Sequence, residues 1–163
     1  MDGIVHIRID ARMIHGQVAV MWSNYLRVNR IMVANDAVSE DEITKSALRM
    51  VAPTGMRTSL ISLETAAKNI VSGKYKGQRV MMILTTPIDA LKLMDLGVDI
   101  KSINVGNMSQ RENTTQIKKS ISVTKEEVKA FHKLMDKGVE ITSIMVPDEP
   151  KSYISEYLDK SNL

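Results

Sequence analysis

The chain has 163 residues, a net charge of +3, 44% hydrophobic and 25% charged residues, and no cysteine. That length suits one domain able to bury most of the surface its unfolded form exposes. The missing cysteine excludes disulfides, thiolate catalysis and cysteine-based zinc sites. Lysines and arginines are interleaved with acids rather than clustered, so no nucleic-acid partner is expected. The longest apolar run, "VMMIL" at 80–84, is far short of the ~20 residues that span a bilayer. Asp2, His6, Arg8 and Asp10 interrupt any signal-peptide core at the start, which leads us to expect a cytoplasmic protein. Aromatics make up only 4% while methionine reaches 12 residues, so the core should be aliphatic and filled in part by thioethers.

Along the chain, short apolar runs alternate with segments of helical period. The first run, "IVHIRI" (4–9), leads into "DARMIH" and then into a helix opening at Gly16, "GQVAVMWSNYL". "RIMVAN" (30–35) follows, and Ser39-Glu40-Asp41-Glu42 matches a capping box ahead of a second helix. After "RTSLIS" (57–62) and a helix ending near Gly73 comes "RVMMILT" (79–85), then Thr86-Pro87, an N-cap with proline at the first helical position. That helix should stop at Gly97, before "KSINVG" (101–106). The next stretch, "NMSQRENTTQ", is polar and lacks helical period, so the spacing predicts an antiparallel connection to "KKSISV" (118–123) near the sheet edge. Thr124-Lys125-Glu126-Glu127 is a second capping box, its helix ends at Gly138, and "EITSIMV" (140–146) is the last strand expected. The pattern predicts an α/β fold: an open, mostly parallel sheet of about seven strands, crossover helices on both faces and an antiparallel edge hairpin, in a single domain over residues 1–163.

Such a sheet offers its ligand site at the carboxyl ends of the strands. "RIDARMIHGQV" (8–18) lies there and carries the strongest chemical signal. Amides at a helix start attract anions, Arg12 brings a planar fork of donors suited to phosphate, and a neutral imidazole at His15 is a nucleophile near pH 7. Asp10 could hold the loop, orient Arg12 or fix the imidazole tautomer. Met13, Ile14, Gly16 and Gln17 complete the phosphoryl-binding or orienting loop. Arg8 shares strand parity with Asp10 and can pair with it; with Asn35, Asp36, Asn107 and Ser109 it is a candidate for the rim. Against this stands a bland reading, in which His15 caps the helix or packs at its edge and Arg12 pairs with a surface carboxylate. His6 and His132 read as structural, and three dispersed histidines form no metal spacing, so neither metal nor cofactor is expected.

Other classes fit less well. A dinucleotide-binding domain would carry G-x-G-x-x-G where this chain has "DARMIHGQ". A receiver-like phospho-aspartate module would need an aspartate ending the third strand, where "SLISLE" offers Ser62 and Glu64. A non-catalytic anion-binding domain is the remaining alternative.

"RIDARMIHGQV" resembles the "RIDDRLIHGQV" segment of the IIB components of the mannose/fructose/sorbose family of the phosphoenolpyruvate-dependent sugar phosphotransferase system (PTS). "RIMVANDAVSEDEITKSALRMVAP" resembles that family's second strand and helix, and "INVGNMS" with "SVTKEEV" its fifth strand and following hairpin. The resemblance covers roughly residues 1 to 160. It departs at Ala11, where the family often has aspartate, and at Met13, where it often has leucine, a mild change of volume. The resemblance implies a phosphotransferase. His15 would accept a phosphoryl group from a phosphohistidine of the IIA component and pass it to a sugar imported through the membrane components IIC and IID, which would hold the chain at the inner face of the membrane. Mannose, fructose, sorbose, glucose and N-acetylgalactosamine types stay open, as does a homodimer.

Overall fold

A computed structural model describes residues 1–159. In chain order its elements are β1 (Ile4–Asp10), α1 (Gly16–Leu26), β2 (Arg30–Ala34), α2 (Asp36–Ser39), α3 (Glu42–Val51), β3 (Arg57–Ile61), α4 (Leu63–Val71), β4 (Val80–Leu84), α5 (Pro87–Asp95), β5 (Ser102–Asn107), β6 (Thr115–Lys118), β7 (Ile121–Val123), α6 (Lys125–Asp136), β8 (Glu140–Thr142) and α7 (Ile154–Leu158). Six strands form one parallel sheet in the order β3-β2-β4-β1-β5-β8.

Alternation along the strands divides the core into two layers. Ile7, Ile9, Met32, Ala34, Val80, Met82 and Leu84 face α4, α5, α6 and α7. Ile31, Val33, Met81 and Ile83 face α1, α2 and α3, where Trp22 and Leu48 are buried. Thioethers do fill the core: Met32, Met81 and Met82 are fully buried.

The local signals mostly hold. Thr124 and Glu127 make the reciprocal capping box, and Thr86 caps α5 with Pro87 in its first turn. The capping box read at Ser39 does not form. Ser39 ends the short helix α2, and Asp41 caps α3 by accepting from the Thr44 amide. The α/β fold is the one expected, but the hairpin is built differently. β6 arises inside the polar stretch and pairs antiparallel with β7 as a separate two-stranded sheet, joined to the end of β5 by a parallel Met108–Ile121 bridge. The last strand is also shorter than its apolar run. β8 stops at Thr142, and residues 143–149 turn back across the carboxyl rim because Asn104 takes both backbone groups of Ile144, each at 3.0 Å.

β1 is flanked by β4 and β5, whose following helices α5 and α6 lie on the opposite face from α1. Chain leaving β1 therefore turns away from both neighbours. A crevice opens at that strand end, the kind of switch point where open α/β sheets bind ligands.

Candidate active site

The polar residues of β1 lie on one face. Ile7 and Ile9 point into the α4–α6 layer, so His6, Arg8 and Asp10 point under α1. Arg8 is buried, with its guanidinium 5.3 Å from the Trp22 ring centroid and Nη1 donating to the Ile144 carbonyl at 3.3 Å. It is therefore not a rim residue, contrary to the sequence reading, although the expected pair with Asp10 forms. Arg8 Nη2 and Nε reach Asp10 Oδ2 at 3.3 and 3.4 Å. Burial pulls the Arg8 guanidinium below its ordinary pKa while Asp10 pushes it back up.

Gly106 makes room for this buried arginine. A Cβ built on Gly106 would sit 1.9 Å from Arg8 Nη2, so no other residue fits at that position of β5 without displacing the guanidinium. His6 also stacks on Trp22, ring centroids 4.6 Å apart, with its Nε2 buried and without a hydrogen-bond partner among the described residues. Burial and the nearby Arg8 charge lower its pKa to about 4. It is a neutral packing element, as the sequence reading had it.

Asp10 organises the loop above. Its Oδ1 accepts from the Arg12 amide at 2.9 Å and from Arg12 Nε at 3.0 Å, and its Oδ2 from Arg12 Nη2 at 2.9 Å. Of the roles considered for Asp10, holding the loop and orienting Arg12 are realised, and no contact to the His15 ring is present among the described residues. Asp10 is 1% exposed and Arg12 26%, so the carboxylate is inside and the outer edge of the guanidinium faces solvent. A bidentate carboxylate–guanidinium pair is strong and geometrically specific.

The turn itself is closed by the Met13 amide donating to the Asp10 carbonyl at 2.9 Å and by the Ala11 amide donating to the Asn107 carbonyl at 3.0 Å. Met13 takes a left-handed backbone, φ 65°, a strain a non-glycine residue tolerates only where neighbours hold it. The side chain of Met13 and the buried one of Ile14 pack into the layer under α1, so they anchor the loop rather than reach a ligand. His15 follows as the N-cap residue of α1 with extended backbone, exposed, and its side chain makes no capping bond. That removes the bland reading of His15 as a cap. Gly16, at φ 27°, and Gln17 are exposed in the first turn, which carries no acid. The end of α1 that attracts anions is thus unoccupied by the protein's own carboxylates.

The other rim candidates divide. Asn107 is beside the loop and holds Ala11 by its carbonyl, while its side chain accepts from Ser109 at 3.1 Å. Asn35 and Asp36 belong elsewhere, two strands away across β4. Asn35 caps α2 and donates to Thr85 at 3.2 Å; Asp36 accepts from the Leu63 amide at 2.9 Å and pairs with Lys92 at 3.1 Å. The Leu63 amide and Lys92 hold Asp36 below the usual carboxylate range, whereas burial and the Asp36 charge raise Asp89 to about 6.

Sequence reasoning missed the residues behind the loop. Trp22 Nε1 donates to the Met145 carbonyl at 2.9 Å, and the Met145 sulfur lies 3.4 Å from Arg12 Nη2 and 3.6 Å from Arg8 Nη2. Met145 read as strand, and the sole tryptophan of the chain read as helix packing; only Gly106, at a strand end, carried a local signal. Beside them lies a cleft of about 510 Å³, lined by Val105, Asn107, Lys118, Ser143, Met145 and Glu149 among others. The described residues contain no cluster of acids and histidines able to hold a metal ion and no helix long and apolar enough to cross a membrane.

The family model described as PTS system sorbose subfamily IIB component matches residues 4–163. The chain is 38% identical over 149 residues to the fructose-specific EIIB component of Bacillus subtilis, covering 91% of each. It is 37% identical over 153 residues to the mannose-specific EIIAB component of Escherichia coli, covering 94% of this chain but 47% of that protein, so it spans about half the length of such relatives. The crystal structure of the IIBSor domain of the sorbose permease from Klebsiella pneumoniae superposes with a TM-score of 0.93 at 33% identity, over 100% of this chain and 99% of that one.

Proposed function

The chain belongs to the sorbose subfamily of IIB components, phosphotransferases of the sugar PTS, and from that premise we propose that His15 is its phosphoryl-carrying residue. A ring nitrogen of neutral His15 attacks the phosphorus of a phosphohistidine on a IIA partner. The new N–P bond forms as the donor's N–P bond breaks, and that electron pair returns to the donor imidazole. In the second half, a sugar hydroxyl oxygen attacks the phosphorus of phospho-His15 as the N–P bond breaks, the hydroxyl proton ends on the departing ring nitrogen, and the imidazole is free for another cycle. Arg12 holds the phosphoryl oxygens, Asp10 orients Arg12, and the amides of Gly16 and Gln17 in the first turn of α1 share the charge.

The observation that carries this reading is the clamp. Asp10 spends one edge of the Arg12 guanidinium bidentately and leaves the rest of the fork partly open to solvent, and three residues on, at the start of α1, stands an exposed histidine whose side chain makes no capping bond. Phosphoryl transfer asks a protein mainly for positioning and charge stabilisation, and the Arg12 fork with the amides at the start of α1 is suited to both.

We read residues 1–163 as one IIB domain, docking on IIA for the donor step and on IIC and IID at the inner face of the membrane for the sugar step. Relatives named for fructose, mannose and sorbose are similarly close, at 38, 37 and 33% identity. Sugar choice then resides in the membrane components, and this chain serves whichever sugar they present. Incubation with a phosphorylated IIA partner should label the protein with acid-labile, base-stable phosphate, and His15→Ala should abolish the label. Persistent labelling of that variant would remove His15 from the mechanism; an alkali-labile acyl phosphate would restore the receiver-like alternative, which the strand order, unlike 2-1-3-4-5, disfavours.

A further inference from the structure

We infer that Met145 is a displaceable cover on the phosphoryl-binding edge of Arg12, and so a positioning residue of the transfer reaction. The inference rests on Arg12 being the group that binds the phosphoryl oxygens.

A guanidinium has five N–H donors, and their use here can be followed one by one. The Nε–H of Arg12 goes to Asp10 Oδ1 and one Nη2–H to Asp10 Oδ2. The second Nη2–H points at the Met145 sulfur, at 3.4 Å. The two donors of Nη1 have no partner among the described residues. The Nη1–Nη2 edge is the one that can grip a phosphoryl group bidentately, and half of it is covered by a thioether.

A thioether is a weak acceptor. It keeps Nη2 oriented while the site is empty, and an anionic phosphoryl oxygen, a far stronger acceptor, takes its place at little cost. A carbonyl or carboxylate at this position would compete with the phosphoryl group. The surroundings fit a side chain that moves on a backbone that does not. The Met145 carbonyl is held by Trp22 Nε1 at 2.9 Å and its amide donates to Glu149 at 3.3 Å, while the preceding Ile144 is locked to Asn104 and Arg8. Met145 also lines the cleft of about 510 Å³ on the rim, which gives the displaced thioether somewhere to go.

The test uses the full chain labelled with ¹³C at the methionine methyl groups, the Met145 signal being assigned by its absence in Met145→Leu. Inorganic phosphate titrated into unphosphorylated protein should shift the Met145 methyl resonance, and phosphorylation by the IIA partner should shift it further in the same sense. Met145→Leu keeps the bulk but removes the weak acceptor that orients Nη2 and should be phosphorylated about threefold more slowly than the parent, whereas Met145→Gln offers a competing carbonyl and should be about tenfold slower. Melting curves recorded alongside check that both variants fold. A Met145 methyl signal that ignores both phosphate and phosphorylation would overturn the inference, as would a Met145→Gln rate equal to that of Met145→Leu. Labelling that survives His15→Ala would defeat the histidine assignment alone, because the inorganic phosphate titration reports on the Arg12 edge without it.

Discussion

Two strands of this sheet end in equivalent places, and only one of them builds the proposed phosphoryl site. β1 and β2 both send their next helix to the layer under α1 and α3, and both lie between neighbours whose helices go to the other face. Each therefore opens a crevice at its carboxyl end, and each carries an aspartate there, Asp10 and Asp36. Asp10 is 1% exposed and joins two guanidiniums; the Asp36 side chain is 54% exposed and ties the Leu63 amide and Lys92 together. The difference teaches that topology supplies the crevice, while burial decides what an acid in it can do. A carboxylate shielded from water fixes an arginine in one geometry, whereas an exposed one contributes a screened, easily replaced link.

The largest expected effect breaks the comparison from the Asp10 side. Asp10→Asn presents an amide where two guanidiniums need an anion, and stability should fall by roughly 3–5 kcal/mol, the usual cost of stranding buried charge. Phosphoryl transfer should drop by about a hundredfold or more as Arg12 loses its orientation. Denaturant melts and labelling rates check both, and a variant as stable and fast as the parent would remove burial as the explanation.

Gly106→Ala attacks the same assembly from below. The added methyl meets the Arg8 guanidinium, so we expect a loss of about 2–3 kcal/mol and a slower transfer rate. Gly16→Ala, whose Cβ would meet nothing within 4 Å, should cost only the strain of φ 27°, on the order of 1 kcal/mol. Equal losses at the two glycines would mean that the space over Arg8 is not what Gly106 provides.

A pH dependence separates the buried layer of β1 from the exposed end of β2. The pKa of His6 is about 4 in the folded protein against 6.5 as its ordinary value. Between those values the unfolded chain binds a proton that the folded one refuses, so stability should fall as pH drops from about 6.5 to 4, by on the order of 2 kcal/mol. His6→Phe, which keeps the stack on Trp22, should flatten that slope. Urea melts across the range decide it, and an unchanged slope would assign the proton elsewhere.

The smallest effect lies at the second crevice. Asp36→Asn retains the oxygen that accepts from Leu63 and loses the Lys92 pair, so stability near neutral pH should change by less than about 1 kcal/mol. Asp89 offers a finer readout. Burial, chiefly, and the Asp36 charge raise it to about 6, so removing that charge should move its titration, followed by carboxyl NMR, to lower pH without bringing it back to the ordinary range.

Much of this was legible in the chain. Alternation located seven of the eight strands, the capping box at Thr124 and the Thr86-Pro87 start both formed, and "DARMIHGQ" contained the clamp and the histidine together because the clamp joins residues two apart and His15 follows within the same turn. The failures share a cause. β6 was hidden in polar residues because it pairs only with β7, outside the main sheet, and sets a single apolar residue, Ile117, against the core. Residues 143–146 looked like strand because Ile144 packs into the layer under α1 and Met145 lies against Arg12, so apolar residues serve there without strand pairing. Asn35, Asp36 and Arg8 were grouped on one rim because a sequence orders strand ends along the chain and not across the sheet.

The amino-acid sequence alone determined the α/β class, the crevice-forming order of strand, loop and helix at β1, and the residues of the turn proposed to bind the phosphoryl group, since all of these follow from neighbours within a few positions. Only the tertiary structure decided that Arg8 is buried beneath Gly106, that Asp36 serves a different crevice, and that Met145 covers the Arg12 fork from 133 residues away. Such contacts have no local signature. They exist because parallel strands bring distant segments to one edge, where burial and hydrogen-bond geometry choose the partners.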